Sequence, residues 1–243
     1  NSNLHDSSAN GIYTSGQNTI TITDCIISDT KYPLIIIKDS ESIIENNVLK
    51  NCEQNGLSVD YSPLTRIENN TFENISASSI SISSESLAYI SKNTFKKING
   101  NAVITKLSET EIFENQIDGQ SYPAFAITNS SKAKIYNNKI TNIDYNGIAL
   151  RNAKFVEITD NEIEKVGECG ISISNTEKAI IENNKIINCQ ITAIESYNHS
   201  KSFVKNNFIS KMGENAFLCY TSGYMKAENN SIEDVKDSMT KLA

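Results

Sequence analysis

The chain has 243 residues, enough for one domain of ordinary core size, and a formal net charge of −7 with only two Arg and two His. That balance argues against nucleic acid as a partner, because gripping phosphates needs clustered Lys and Arg. Composition is dominated by 36 Ile and 32 Asn, with ten Leu and no Trp; this favours β structure over a helical bundle, and no apolar run is long enough to span a bilayer.

The chain starts at Asn1 without an initiator Met or a signal peptide, so it reads as a mature form or an excised piece, and its compartment stays open. Residues 1–10 are polar and carry no amphipathic helical pattern. From about residue 11 a repeat takes over. Its first signature is a strictly alternating strand, seen as Gly56-Leu57-Ser58-Val59, Ser79-Ile80-Ser81-Ile82, Gly147-Ile148-Ala149-Leu150 and Gly170-Ile171-Ser172-Ile173. Gly11 opens the first copy and Ala216 the last. Alternation of this kind predicts a strand with one face buried.

The second signature is apolar-x-x-Asn-x-apolar. It appears as Ile44-Glu45-Asn46-Asn47-Val48-Leu49 and Ile67-Glu68-Asn69-Asn70-Thr71-Phe72, then around Asn93, Asn115, Asn138, Asn161, Asn184, Asn207 and Asn230. The spacing is 22 or 23 residues throughout, and one step earlier the slot holds Cys25. A third apolar column follows five residues after each Asn: Cys52, Ile75, Ile98, Ile143, Val166, Cys189, Met212 and Val235. A fixed period of this size predicts a solenoid in which each turn gives three short strands to one core. About ten turns cover nearly the whole chain, and at one strand spacing per turn they make a rod roughly 45 Å long.

Two solenoids use an Asn column at such a period. A leucine-rich repeat also needs an apolar residue five before the Asn, where this chain has Ser42, Thr65, Ala88, Thr110, Ala133, Val156, Ala179, Ser202 and Met225, mostly small. The Ile-rich columns and the Gly-Ile-x-Ile strand fit a parallel β-helix better. In such a stack, inward-pointing Asn amides satisfy one another up and down the column. Replacing a central one, such as Asn138→Leu, is expected to destabilise the fold.

On these residues the chain resembles the right-handed parallel β-helix repeat family of the pectate-lyase-like superfamily, over residues 11 to 243. The resemblance implies an all-β, right-handed parallel β-helix of about ten turns of 22–23 residues with an internal Asn ladder. Gly-Ile-x-Ile is then the first strand, the residues before Asn-Asn the second, and the segment after them the third. Residues 1–243 are expected to form a single domain, a piece of a larger chain, because neither residues 1–10 nor the polar tail Lys236–Ala243 resembles a strong cap; a short loop cap is the rival reading.

Five Cys are present. Cys25 sits in the Asn slot, Cys52 and Cys189 in the third column, and Cys219 at an inward slot of the first strand. Cys52 and Cys189 are six turns apart and cannot bond. With no C-x-x-C spacing, the cysteines read as small hydrophobes of a core. Sequons at Asn69, Asn74, Asn129, Asn198 and Asn229 arise by chance in so Asn-rich a chain.

The resemblance places ligands along the outer face of the first strand. Its mid-strand outward slot carries Ser58, Ser81, Ala126, Ala149, Ser172, Glu195 and Leu218. The next outward slot carries Asp60, Ser83, Lys106, Thr128, Arg151, Ser174, Tyr197 and Tyr220. Just ahead of the strand, Tyr122 and Tyr145 share a position in adjacent turns and are expected to stack about 5 Å apart. A flat floor with Tyr rings and isolated cations suits an extended acidic glycan, with rings on sugars and Arg on carboxylates. If the chain is an enzyme, the natural class is a polysaccharide lyase or C5-epimerase. Arg151 would neutralise the carboxylate, and Tyr145, Tyr197, His199 or Lys106 would act as base or acid; Tyr122, Tyr145, Glu195, Tyr220 and Asp60 would bind substrate.

Each of these residues also has a plainer reading: a solvated Arg151, a loop His199, Tyr122 and Tyr145 covering a core edge, Glu195 paired with a nearby Lys. The Asn-Thr-Asp, Asp-Asp, Gly-His-Gly and Arg-x-Lys motifs of polygalacturonase-like enzymes are absent, as are the Asp cluster of calcium-dependent pectate lyases and the Asp-Pro-His of mannuronan epimerases. No cofactor or metal is implied. The sequence therefore points to an extracellular or cell-surface β-helix that binds, and as a lyase or epimerase would modify, an acidic polysaccharide. The alternative is a non-catalytic structural or interaction solenoid of a larger surface, tail or recognition protein.

Overall fold

In the computed structural model, residues 2–237 and 240–242 are described; Asn1, Ser238, Met239 and Ala243, which include part of the polar tail, lie outside the described residues. Every regular element among the described residues is a β-strand. The strands form three parallel sheets, two of eleven strands and one of ten, and each strand pairs with its counterparts one turn away. One turn consists of Ile148–Arg151 in the first sheet, Phe155–Thr159 in the second and Glu162–Val166 in the third. The register follows the sequence repeat, with Ile148 beside Ile171, Val156 beside Ala179 and Ile163 beside Ile186. Asn3–Leu4 already pairs with the strand Ile26–Thr30, so the third sheet starts ahead of residue 11.

The core is built from columns of like residues. Ile, Leu, Val and Phe from all three sheets fill it, among them Ile82, Ile90, Phe95, Ile127 and Ile173, all fully buried. The small residues five before the Asn, from Ser42 to Ser202, are buried too, and Ser42 and Thr65 bond to each other at 2.9 Å. Gly147 is required by close approach: a Cβ there would lie 2.6 Å from the Gly170 carbonyl and 2.8 Å from Ile163.

The bend between the second and third strands carries the amide column. Asn138 donates from its main-chain N–H (3.0 Å) and Nδ2 (2.9 Å) to Asn161 Oδ1. Its Nδ2 also reaches the carbonyls of Ile112 (2.9 Å) and Tyr136 (3.0 Å). Its own Oδ1 accepts from the N–H and Nδ2 of Asn115, each at 3.0 Å. The pattern runs from Asn47 to Asn230, and Cys25 joins by donating its N–H to Asn47 Oδ1 at 3.0 Å.

A second role for Asn emerges at the turns. Among the described residues, fourteen Asn adopt positive φ, including all five sequon positions, Asn69, Asn74, Asn129, Asn198 and Asn229. Asn tolerates this left-handed backbone better than most residues, so turn geometry accounts for their presence. All five cysteines are free.

Candidate functional site

Alternation along the first sheet sends two rows of side chains outward. The mid-strand row pairs Ser58, Ser81, Ile104, Ala126, Ala149, Ser172, Glu195 and Leu218 in successive turns. Ile104 interrupts the otherwise small floor. The second row pairs Lys106, Thr128, Arg151, Ser174 and Tyr197. Arg151 and Tyr197 are two turns apart, roughly 10 Å.

At the C-terminal half of this face, several groups converge. Tyr197 and Tyr220 stack with ring centroids 5.0 Å apart and planes at 3°. Glu195 lies beside them and accepts from Ser172 Oγ at 2.5 Å, rather than pairing with a Lys. Burial, then the charge of Glu195, pushes the Tyr220 hydroxyl up to about 12. Tyr220 is therefore a proton holder and hydrogen-bond donor, unsuited to act as a base near neutrality.

Arg151 and Lys106 are exposed and make no ion pair among the described residues. His199 is exposed at φ 61°, in a turn tied down by Ser200 Oγ donating to the Tyr197 carbonyl at 2.6 Å. Next to it, Asn198 Nδ2 donates to Ser174 Oγ at 3.1 Å. Asp60 stands apart, two turns below Lys106, and accepts from Ser83 Oγ at 3.0 Å. On the opposite edge of the sheet, Tyr122 and Tyr145 stack at 5.6 Å and 19°, with rings 54% and 47% exposed. The structure thus groups Glu195, Tyr197, His199 and Tyr220, places Arg151 two turns away, and separates Asp60 and the Tyr122–Tyr145 pair from them.

Cys169 falls in none of the sequence columns. It occupies the bend before Gly170, is buried, and feels the charge of Glu195. Burial above all, and then Glu195, pushes its thiol up, so it stays protonated rather than acting as a nucleophile. In that bend its repeat partners are Asn146 and Thr192, so no periodic signal marks it. Among the described residues, no group of three or more His, Cys, Asp or Glu is placed to hold a metal ion. Concavities occur on other faces, one lined by Asp29, Asn51 and Asn74, another by Tyr89, Lys132 and Phe155. On the first-sheet face the mid-strand floor over Ala126, Ala149 and Ser172 is made of small side chains, a surface suited to an extended polymer rather than to an enclosed small molecule.

No curated protein sequence matches the chain. Among solved structures, the periplasmic alginate epimerase AlgG is similar with a TM-score of 0.66 at 11% identity, over 90% of this chain and 70% of that one. The A-module of Azotobacter vinelandii mannuronan C-5 epimerase AlgE6 gives 0.56 at 13% identity, over 93% of this chain and 65% of that one. The A-module of AlgE4 from the same organism gives 0.51 at 9% identity, over 95% and 88%. At these identities the likeness is one of fold. The family model described as "Right handed beta helix region" matches residues 1–105 and 78–232, and with this match over nearly all of a parallel three-sheet solenoid, the chain belongs to the right-handed beta helix family.

Proposed function

We propose that the chain binds an extended acidic polysaccharide on the outer face of its first sheet and acts on it as a lyase or C5-epimerase. The observation that carries this reading is Arg151, exposed and without an ion pair, two turns from the Tyr197–Tyr220 stack on a floor of Ala and Ser. The alginate and mannuronan epimerases among the structural neighbours support it, since both names denote polyuronate substrates. A site outside the cytoplasm, extracellular or at the cell surface, belongs to the same reading, supported by the periplasmic location in the name of the AlgG neighbour.

In this reading Arg151 pairs bidentately with a uronate carboxylate, so that charge builds up on that carboxylate with less penalty when the C5 proton leaves. Tyr197, His199 or Lys106 takes that proton. Two outcomes follow. Returning a proton to the opposite face of C5 inverts the centre; breaking the C4–O4 bond forms a C4–C5 double bond and releases the next sugar, with a proton delivered to its oxygen. Tyr220, holding its proton, and Glu195 bind sugar hydroxyls, Tyr122 and Tyr145 give a second stacking surface, and Asp60, beside Lys38 in the lower part of the row, contacts the polymer there.

Retention on a polyuronate affinity gel tests the binding; failure to retain on any acidic glycan overturns it. Incubation with a polyuronate panel, followed by absorbance of unsaturated ends and by NMR of the C5 configuration, tests the chemistry. Any activity found is expected to fall at least a hundredfold in Arg151→Ala. The missing Asp-Pro-His tripeptide favours a second reading, a non-catalytic binding or interaction rod. Binding without any turnover would establish that reading.

A further inference from the structure

Within the acidic-glycan reading, the second outward row of the first sheet carries a finer message about the polymer. Lys106, Thr128, Arg151, Ser174 and Tyr197 occupy one register position in successive turns, and Tyr220 continues the row by stacking on Tyr197. Cations occur on alternate turns. Thr128 stands between the two cations and Ser174 between Arg151 and Tyr197, both short side chains whose hydroxyls are already engaged: Thr128 Oγ1 donates to the Thr105 carbonyl at 3.1 Å, and Ser174 Oγ accepts from Asn198 at 3.1 Å. Successive turns are ~4.8 Å apart, nearly the advance of one 1,4-diequatorially linked hexopyranose. The row from Lys106 to Tyr220 spans five such steps, ~24 Å.

The two edges of the sheet differ in charge. On the other edge, the position of Tyr145 continues through Glu168, Ile191 and Glu214 in the following turns, linked by main-chain hydrogen bonds of 2.8–3.2 Å. An acidic polymer running along that edge would meet two carboxylates. Along the Lys106–Tyr220 row it meets two cations and then a pair of stacked rings. Asp60, two turns below Lys106, falls in the same alternate phase with the opposite charge, and Lys38 follows it one turn further down.

We infer that the glycan lies along the solenoid axis over this row, one sugar per turn, and presents a carboxylate to the protein at every second sugar. Two polymers share that chemistry: a two-fold ribbon of 1,4-diequatorial uronate, whose successive carboxylates face opposite sides, and a strictly alternating acidic–neutral disaccharide repeat. In either, carboxylates ~10 Å apart meet Arg151 and Lys106 together, while the intervening sugars pass over Thr128 and Ser174.

The test moves the cations without changing their number. Binding of a β-1,4-mannuronan octamer, a hyaluronan octamer and an α-1,4-guluronan octamer is measured by calorimetry on the 243-residue chain, with circular dichroism confirming each variant's fold. Arg151→Ser with Ser174→Arg stretches the cation spacing from two turns to three and is expected to weaken binding about tenfold. Adding Lys106→Ser and Thr128→Lys restores the two-turn spacing one turn further along and is expected to return affinity to within about twofold of the original. Preference for mannuronan identifies the two-fold ribbon, and preference for hyaluronan the alternating repeat. Equal affinity for the two- and three-turn variants, or a preference for guluronan, whose diaxial links shorten its advance, overturns the inference while leaving acidic-glycan binding intact. Absence of binding to all three octamers and to the polyuronate gel overturns the broader reading as well.

Discussion

Gln120 is the least comfortable residue in the core. It occupies the third-sheet column between Ile98 and Ile143, is 2% exposed, and both its Nε2 and its Oε1 lack a hydrogen-bond partner. A buried amide in that state costs about 1–3 kcal/mol. Gln120→Ile, close in volume, would complete the Ile column and is expected to stabilise the chain by that order, read as a higher denaturation midpoint at unchanged slope. Asn138 is the contrasting case, because every polar atom of its amide is used. Asn138→Leu would take away the acceptor of the Asn115 main-chain N–H, one acceptor of the Asn115 amide and the amide donor to the Ile112 carbonyl, and would put an apolar side chain into a polar column. A loss of about 3–5 kcal/mol in equilibrium unfolding is expected, and a loss below ~1 kcal/mol would mean that the column closes over the gap. The Asn column was legible because it repeats an identical side chain at a fixed period. Gln120 was not, because a single polar residue in an apolar column gives no period to detect.

The third-sheet strands show how a local distortion reconciles sequence with burial. In Thr71–Ile75, both Phe72 and Ile75 are buried, an odd spacing that a regular strand would send to opposite faces. Asn74, at φ 55°, supplies the left-handed kink that turns Ile75 back inward. The same kink recurs at Asn51, Lys97, Gly119, Asn142, Lys165, Asn188 and Lys211, all with positive φ. Columns two and five residues after each Asn were therefore readable as apolar, yet the kink between them was hidden by its varied residue types. A Lys in left-handed backbone is strained by about 1 kcal/mol, whereas Asn tolerates it. Lys165→Asn, which gives up only an exposed 4.0 Å contact with Glu164, is expected to stabilise by about 0.5–1 kcal/mol in denaturant unfolding. No gain there would show that the kink, rather than the side chain, sets the strain. The outward rows of the first sheet obey plain alternation, so Arg151, Tyr197 and Glu195 could be placed on one face from sequence alone. The approach of Cys169 to Glu195 and Tyr220 could not, since it depends on how the preceding bend folds over the strand ends.

Because every strand pairs only with the strands one turn above and below it, the molecule is a one-dimensional stack whose stability is a sum of turns and their interfaces. The terms are unequal. Ile12, Ile20 and Cys25 at one end and Met225, Ile232 and Val235 at the other are only partly buried, while Phe125, Ile148 and Ile171 in the middle are fully buried. Opening an end turn exposes one interface, whereas opening a central turn exposes two. In the 243-residue chain taken by itself, native-state hydrogen exchange should therefore be fastest near Ile20–Ile26 and Met225–Val235 and slowest around Phe125–Ile171. A flat profile across the chain would show instead that the stack opens only as a whole. The gradient bears on the proposed site, because the Lys106–Tyr220 row runs from the protected middle toward the loosening end. A glycan seated along the whole row would tie Tyr197 and Tyr220 to the central turns. Its addition is expected to slow exchange in the Phe217–Cys219 strand more than in Val103–Lys106, whereas uniform slowing would place the ligand elsewhere.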